Sequence, residues 1–90
     1  MSWNIKYLSP AIKDLKKIDR QMQKRLRSYL EDRIAKLNDP RDAGIALKGR
    51  KLEGLWRYRL GDYRIICDFE ENELVILALK IGHRKSIYED

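Results

Sequence analysis

Cysteine, histidine and long apolar runs are nearly missing from this 90-residue chain, and each shortage excludes a class of protein. The single cysteine, Cys67, excludes an internal disulfide and a cysteine-based zinc site. The longest apolar stretch, residues 74–79, is far too short to span a membrane, and no apolar segment of a signal peptide follows Met1. The sequence also lacks a glycine-rich phosphate loop, a metal-ligand spacing and a Ser-His-Asp set. We therefore expect a cytoplasmic protein that uses no metal, no membrane and no small-molecule cofactor.

Basic residues are abundant, and their distribution is uneven. Charged side chains make up 38% of the chain, the net charge is +6 and the pI is near 9.6. Residues 1–40 hold ten Lys and Arg against five Asp and Glu, whereas residues 41–90 hold ten against nine. This balance favours an acidic partner such as nucleic acid, an anionic surface or an acidic protein. The bases of the second half are gathered at Lys48, Arg50, Lys51, Arg57, Arg59, Arg64, Arg84 and Lys85.

The apolar patterns predict one α+β domain spanning residues 1–90. An alternating strand over residues 3–8 comes first, and Ser9 and Pro10 fit the N-cap and first position of a helix. A second helix is expected from residue 19 or 20 to 37, because apolar residues recur there with a 3.6-residue period. Strands are expected at 55–60, 63–70 and 74–81, with a short one at 45–47. The order is β-α-α-β-β-β, a mostly antiparallel sheet with an N-terminal helical hairpin packed on one face.

The most informative segment is residues 56–65, in which apolar and basic residues alternate on both sides of a Gly-Asp pair. A two-residue Gly-Asp loop between alternating runs predicts a β-hairpin. Arg57, Arg59 and Arg64 then share one face, and like charges directly opposite each other destabilise a sheet. We interpret this face as a site for an anion, most suitably phosphate; the alternative is the solvated face of a half-exposed hairpin. The predicted pairs are Leu60 with Tyr63, Arg59 with Arg64, Tyr58 with Ile65 and Arg57 with Ile66.

The C-terminal residues form a second candidate region, because Gly82 ends a buried strand and releases polar and basic side chains. His83 is the only histidine, the residue type whose side chain ordinarily titrates near neutrality, although a lone surface histidine usually has no function. Arg84 and Tyr88 become significant only if the last strand delivers them beside Arg64.

The register of the last strand decides that question. A two-residue turn at positions 71 and 72 would place Leu79 opposite Arg64 and Ile81 beyond it. The residues after Ile81 would then extend past the edge of the arginine face, but a slip of one residue would move them to the other face.

The remaining bases have two interpretations each. Lys48, Arg50 and Lys51 form a basic loop before the hairpin, which is either solvated or in contact with a phosphate backbone. Lys85 belongs with them as a candidate RNA contact. The bases of the long helix are better explained as its solvated face, although they could also grip a large polyanion.

These segments resemble the RelE/ParE superfamily of bacterial and archaeal toxins from toxin–antitoxin pairs. The resemblance covers nearly the whole chain and is carried by residues 47–49, 54–65 and 81–85, together with the order of the elements. RelE-like members cut messenger RNA in the ribosomal A site, whereas ParE-like members inhibit DNA gyrase and generally lack the full basic set. Because that set is present, the resemblance favours a metal-independent endoribonuclease that inhibits translation; a non-catalytic nucleic-acid-binding module is a third possibility.

The resemblance also implies roles for individual residues. In the implied mechanism a ribose 2′-OH attacks the adjacent phosphate and leaves a 2′,3′-cyclic phosphate and a 5′-OH. Arg64 would hold the scissile phosphate, and Arg84 would stabilise or protonate the leaving oxygen. Arg57 and Arg59 would neutralise developing charge, while Tyr88 would stack on a base or orient the nucleotide.

One departure from the best-known RelE pattern bears on the general base. Two positions that carry lysine there are Arg57 and Arg59 here, and arginine is essentially never deprotonated. His83 is therefore the leading candidate for the base on pKa grounds.

Partners are implied by the resemblance and by the charge. A toxin of this kind implies the ribosome with its mRNA and a cognate antitoxin, RelB-like and partly disordered when free. An exposed arginine cluster independently invites an acidic chain that folds on binding.

Overall fold

A computed structural model describes residues 2–87, which form a five-stranded sheet with two helices packed on one side. The sheet order is β1-β5-β4-β3-β2, in which β1 runs parallel to β5 and all other neighbours are antiparallel. The predicted α+β fold is therefore confirmed. No helix within residues 2–87 combines the length and apolar character that a membrane span requires. The elements are β1 (Asn4–Tyr7), α1 (Ser9–Lys16), α2 (Arg20–Ser28), β2 (Ile45–Ala46), β3 (Trp56–Leu60), β4 (Tyr63–Glu70) and β5 (Val75–His83).

The helix starts are set by local hydrogen bonds. The carboxylate of Asp19 accepts the Met22 N–H at 3.2 Å, so Asp19 caps α2. The prediction that Ser9 caps α1 is wrong by one residue, because Leu8 holds that position. The Leu8 N–H still donates to the strand carbonyl of Ala78, while its own carbonyl accepts the Ile12 N–H and begins the helix. Leu8 is thus the junction between β1 and α1.

The second helix keeps its apolar face on the sheet over its whole length. Leu26, Leu30 and Ile34 are four residues apart and at most 1% exposed. The α-helix ends at Ser28 and continues as a π-helical segment, Tyr29–Arg33, and a short 3₁₀ segment, Ile34–Lys36. The predicted helical stretch to residue 37 is therefore helical to Lys36, although its last turns are not α.

The core lies between the helices and the inner face of the sheet. Cys67 is fully buried in it, and burial raises the pKa of its thiol to about 12. The thiol is therefore a packed core group that stays protonated at neutral pH. The other fully buried side chains include Ala11, Leu15, Leu26, Leu30, Ile34, Tyr58, Ile65, Ile76 and Ala78.

The register between β4 and β5 differs from the prediction. Arg64 pairs with Gly82, whereas a two-residue turn would have paired it with Leu79. The observed register is shifted by three residues from the predicted one. Two residues of this shift arise because the turn is longer than predicted: it contains the 3₁₀ segment Glu71–Glu73 and Leu74 in the left-handed conformation. The third comes from a β-bulge, because Ile66 pairs with Lys80 but the next residue of β4 pairs with Ala78.

Candidate anion-binding site

The β3–β4 hairpin has the predicted register, and this places three arginines on one face. Arg59 lies opposite Arg64, and Arg57 lies opposite Ile66. Their neighbours Tyr58 and Ile65 are at most 1% exposed and point toward the helices. Because side chains alternate along a strand, Arg57, Arg59 and Arg64 project from the opposite side of the sheet, which we call the outer face.

Arg64 is fixed at the end of this face by the hairpin turn. Its Nη1 donates to the carbonyl oxygen of Gly61 at 2.9 Å and to that of Tyr63 at 3.0 Å. Gly61 has a φ of +57°, as the first residue of a tight hairpin turn requires. A guanidinium has five N–H donors, so Arg64 can hold the turn and still bind an anion.

Arg84 is held by the same turn. Its backbone N–H donates to the Asp62 carbonyl at 2.7 Å, and its Nε lies 3.8 Å from the Asp62 carboxylate. The side chain of Arg84 is 56% exposed, so its guanidinium is accessible to a ligand. From the sequence, Arg84 is significant only if the last strand delivers it beside Arg64. The structure places Arg84 at the same turn that holds Arg64.

A glycine lies between these two arginines on the outer face. Gly82 is the cross-strand partner of Arg64, so no side chain stands opposite the Arg64 guanidinium on β5. A Cβ added to Gly82 would meet Ile87 Cδ1 at 3.2 Å, which is tighter than ordinary contact. This position favours glycine because Ile87 packs against the backbone there.

His83 is on the other side of the sheet. It pairs with Tyr63, and the two rings meet edge to face with centroids 5.9 Å apart. With Asp14 and Lys17 of the first helical region, they line a cavity of about 400 Å³ on the helix side. The His83 Nδ1 accepts the Lys85 N–H at 3.2 Å, so the neutral ring carries its proton on Nε2. His83 is thus separated from the arginines by the sheet itself.

The other predicted residues are more dispersed. Lys48, Arg50 and Lys51 lie on the loop that precedes β3, where all three are exposed, and Lys85 is exposed next to Arg84. Tyr88 lies outside the described residues.

An apolar pocket on the outer face was not anticipated from the sequence. It has a volume of about 430 Å³ and adjoins Arg57, since Ile66 is both its floor and the cross-strand partner of Arg57. The sequence signal is the last strand, because residues 74–79 are apolar on both faces, but this pattern is equally typical of a central strand covered by its own chain. The strand is central, whereas its outer side is open at this pocket. The lining residues are Leu47, Leu52, Leu55, Ile66, Leu79, Lys80 and Ile87.

Solved structures of toxins share this fold. The RelBE2 toxin–antitoxin complex of Mycobacterium tuberculosis matches with a TM-score of 0.84 and 20% identity, over 93% of each chain. The archaeal RelE–RelB complex of Pyrococcus horikoshii matches with a TM-score of 0.72 and 28% identity, over 96% of this chain and 99% of that one. The isolated Escherichia coli RelE toxin matches with a TM-score of 0.69 and 15% identity, over 91% of this chain and 84% of that one. The fold is thus that of the RelE/ParE superfamily.

The sequence assigns the chain more narrowly. Residues 5–88 match the model of a family described as ParE toxin of the type II toxin–antitoxin system parDE. The chain belongs to this family and is the toxin component of a type II toxin–antitoxin system. No curated protein sequence matches it significantly.

Proposed function

We propose that this toxin is a ribosome-dependent mRNA endonuclease that cuts in the A site and so inhibits translation. The observation that supports this most is the gathering of Arg57, Arg59, Arg64 and Arg84 around the outer face and its hairpin turn. Four positive charges on an open surface suit a phosphate in a polymer better than a small enclosed ligand. The likeness to an archaeal toxin crystallised as RelE with RelB, at 28% identity, supports the same branch.

The proposed reaction is a transfer within the RNA backbone. The ribose 2′ oxygen forms a bond to the adjacent phosphorus, the bond from phosphorus to the 5′ oxygen breaks, and the 2′ proton passes to water. Arg64 holds the scissile phosphate, while Arg57 and Arg59 neutralise the charge that develops on its oxygens. Arg84 stabilises the leaving 5′ oxygen, which takes a proton from water. The products are a 2′,3′-cyclic phosphate and a 5′-OH.

Other side chains hold the RNA rather than the reacting atoms. In this proposal Lys48, Arg50, Lys51 and Lys85 contact phosphates of the strand, which adds affinity without sequence preference. Tyr88 stacks on an unpaired base.

None of the four arginines can serve as the general base. Arginine stays protonated, and His83 lies behind the sheet with its Nδ1 occupied by the Lys85 N–H. His83 could act as a base only after that bond is broken and the ring is turned around the strand end. We infer that the site depends on alignment of the RNA for in-line attack, which the ribosome provides. Action on translating ribosomes places the toxin in the cytoplasm.

Replacing His83 by alanine should consequently leave cleavage nearly intact. We expect the single-turnover rate to stay within about threefold of wild type, since general-base removal costs about 10²–10⁴-fold. A loss of that larger size, with an unchanged melting temperature, would show that His83 reaches the outer face after all.

The antitoxin partner is proposed to cover the apolar pocket on the outer face. Arg57 and Lys80 flank six apolar side chains, an arrangement that fits an amphipathic acidic segment with apolar residues inserted and carboxylates on the rim. Leu79 is half-buried at this pocket. Replacing it by aspartate should weaken copurification with the product of the neighbouring antitoxin gene at least tenfold. The exposed Ile12→Asp on α1 serves as the control, and equal weakening by both would contradict this location.

Gyrase inhibition is the second candidate, and the family match itself favours it, because the matching model is that of ParE toxins. Brief induction in cells separates the two functions. The endonuclease predicts new mRNA 5′ ends within translated codons and unchanged plasmid supercoiling. Relaxed or broken plasmid with intact mRNA would replace it with gyrase inhibition.

A further inference from the structure

The hairpin turn between β3 and β4 holds two arginines that come from different parts of the chain. Arg64 is the second residue of β4 and donates to the carbonyls of Gly61 and Tyr63. Arg84 comes directly after β5 and is attached to Asp62 through both its backbone N–H and its guanidinium. Both guanidinium groups therefore lie against the same three consecutive residues, 61–63.

We infer that Asp62 is a positioning residue for the proposed cleavage reaction, which it serves by fixing Arg84 next to Arg64. This inference rests on the proposed function for its consequence, but its geometric part stands independently. An exposed arginine loses rotamer entropy when a ligand fixes it. Because the carboxylate already restricts Arg84 in the free protein, less rotamer entropy is lost when the RNA binds and reacts. A site that needs two guanidinium groups on one phosphodiester gains rate when one of them is already oriented.

The Arg84 atom that the Asp62 carboxylate contacts bears on whether Asp62 positions the guanidinium or only neutralises its charge. The carboxylate lies 3.8 Å from Nε of Arg84, at the inner side of the guanidinium. This contact leaves the two terminal nitrogens of that group to form the paired hydrogen bonds with which arginine binds phosphate. A carboxylate that served only as a counter-ion would compete with the phosphate, and its removal would raise activity.

The two turns at the ends of β4 provide a test variant and a matched control variant. The backbone carbonyl of Asp62 accepts the Arg84 N–H in any variant, so Asp62→Asn removes the charge while it keeps that bond and the side-chain length. Glu73→Gln removes the same charge from the turn at the opposite end of β4, where it is exposed. The melting temperature of both variants should equal that of wild type.

The test measures single-turnover cleavage of ribosome-bound mRNA by Asp62→Asn in the wild-type and in the Arg84→Ala background. We expect about a tenfold lower maximal rate in the wild-type background with unchanged half-saturation by ribosomes, and no further loss in Arg84→Ala. Glu73→Gln should cleave like wild type. An equal loss in both backgrounds, or a faster Asp62→Asn variant, would overturn the inference.

A second readout separates failure of this inference from failure of the proposed function. The exchange of the Arg84 Nε–H with water, measured by NMR on the free protein, reports the Asp62 contact without any cleavage. We expect faster exchange in Asp62→Asn than in wild type and Glu73→Gln. If wild type does not cleave RNA but this difference is present, the proposed reaction is wrong and the contact is real. Unchanged exchange would refute the contact.

Discussion

Arg64→Ala should lower the single-turnover rate of RNA cleavage by about 10²–10³-fold, the usual loss when one preorganised donor to developing charge is removed. Arg64 lies opposite Arg59 on one neighbouring strand and opposite Gly82 on the other, and the hairpin turn fixes its guanidinium. Its side chain leaves from the outer face and not from the core, so the variant should fold with a melting temperature near that of wild type. Circular dichroism and rapid-quench cleavage on programmed ribosomes measure the two quantities.

Two companion variants make this prediction specific. Arg64→Lys keeps the charge but not the planar fork, so we expect an intermediate rate. Arg25→Ala removes one positive charge from the exposed side of α2, behind the sheet, and should cleave within about twofold of wild type at moderate salt. Equal losses in Arg64→Ala and Arg25→Ala would mean that net charge, and not the arginine face, drives the activity.

Tyr58→Ala should destabilise the fold by about 3–5 kcal/mol, the cost of removing a buried aromatic side chain. Tyr58 is 1% exposed, and burial raises the pKa of its hydroxyl well above the ordinary value. That hydroxyl donates to the Pro40 carbonyl at 2.7 Å and so ties β3 to the loop after the second helix. A loss of this size is a large part of the total stability of a small domain. Urea unfolding monitored by tryptophan fluorescence measures it.

Tyr58→Phe separates the hydrogen bond from the packing. It retains the ring, including its close approach to Gly44, and removes only the hydroxyl. We expect a loss of about 1–2 kcal/mol, because the Pro40 carbonyl remains buried without its donor. If Tyr58→Ala were as stable as Tyr58→Phe, packing of the Tyr58 ring in the core would not contribute to the stability of the fold.

The arginine face could be predicted because a two-residue turn determines how its flanking strands pair. The partners across β3 and β4 are obtained by counting outward from Gly61-Asp62. Alternation then places Arg57, Arg59 and Arg64 together on one side. The structure confirms this register pair by pair.

The face of His83 could not be predicted, because it depends on a turn without a clear signal. Leu74 adopts the left-handed conformation that usually calls for glycine, and Arg41 binds Glu71 from a loop thirty residues earlier. The bulge before Ala78 adds one more residue. A total shift of three residues is odd, so it moves His83 to the helix side and Arg84 to the outer side.

The apolar pocket was missed for a different physical reason. Apolar residues on both faces of a strand indicate burial, but they do not say whether the cover belongs to the same chain. Here the loop residues Leu47, Leu52 and Leu55 rim the pocket and leave it open.

Primer extension on a defined mRNA held in the A site of purified ribosomes, with wild type and Arg64→Ala side by side, determines whether this toxin is an endonuclease. We predict a cut within the A-site codon by wild type alone, with a 5′-OH on the downstream fragment. The absence of a cut by folded wild-type protein, together with inhibition of gyrase in a supercoiling assay, would contradict the endonuclease and assign the arginine face another role.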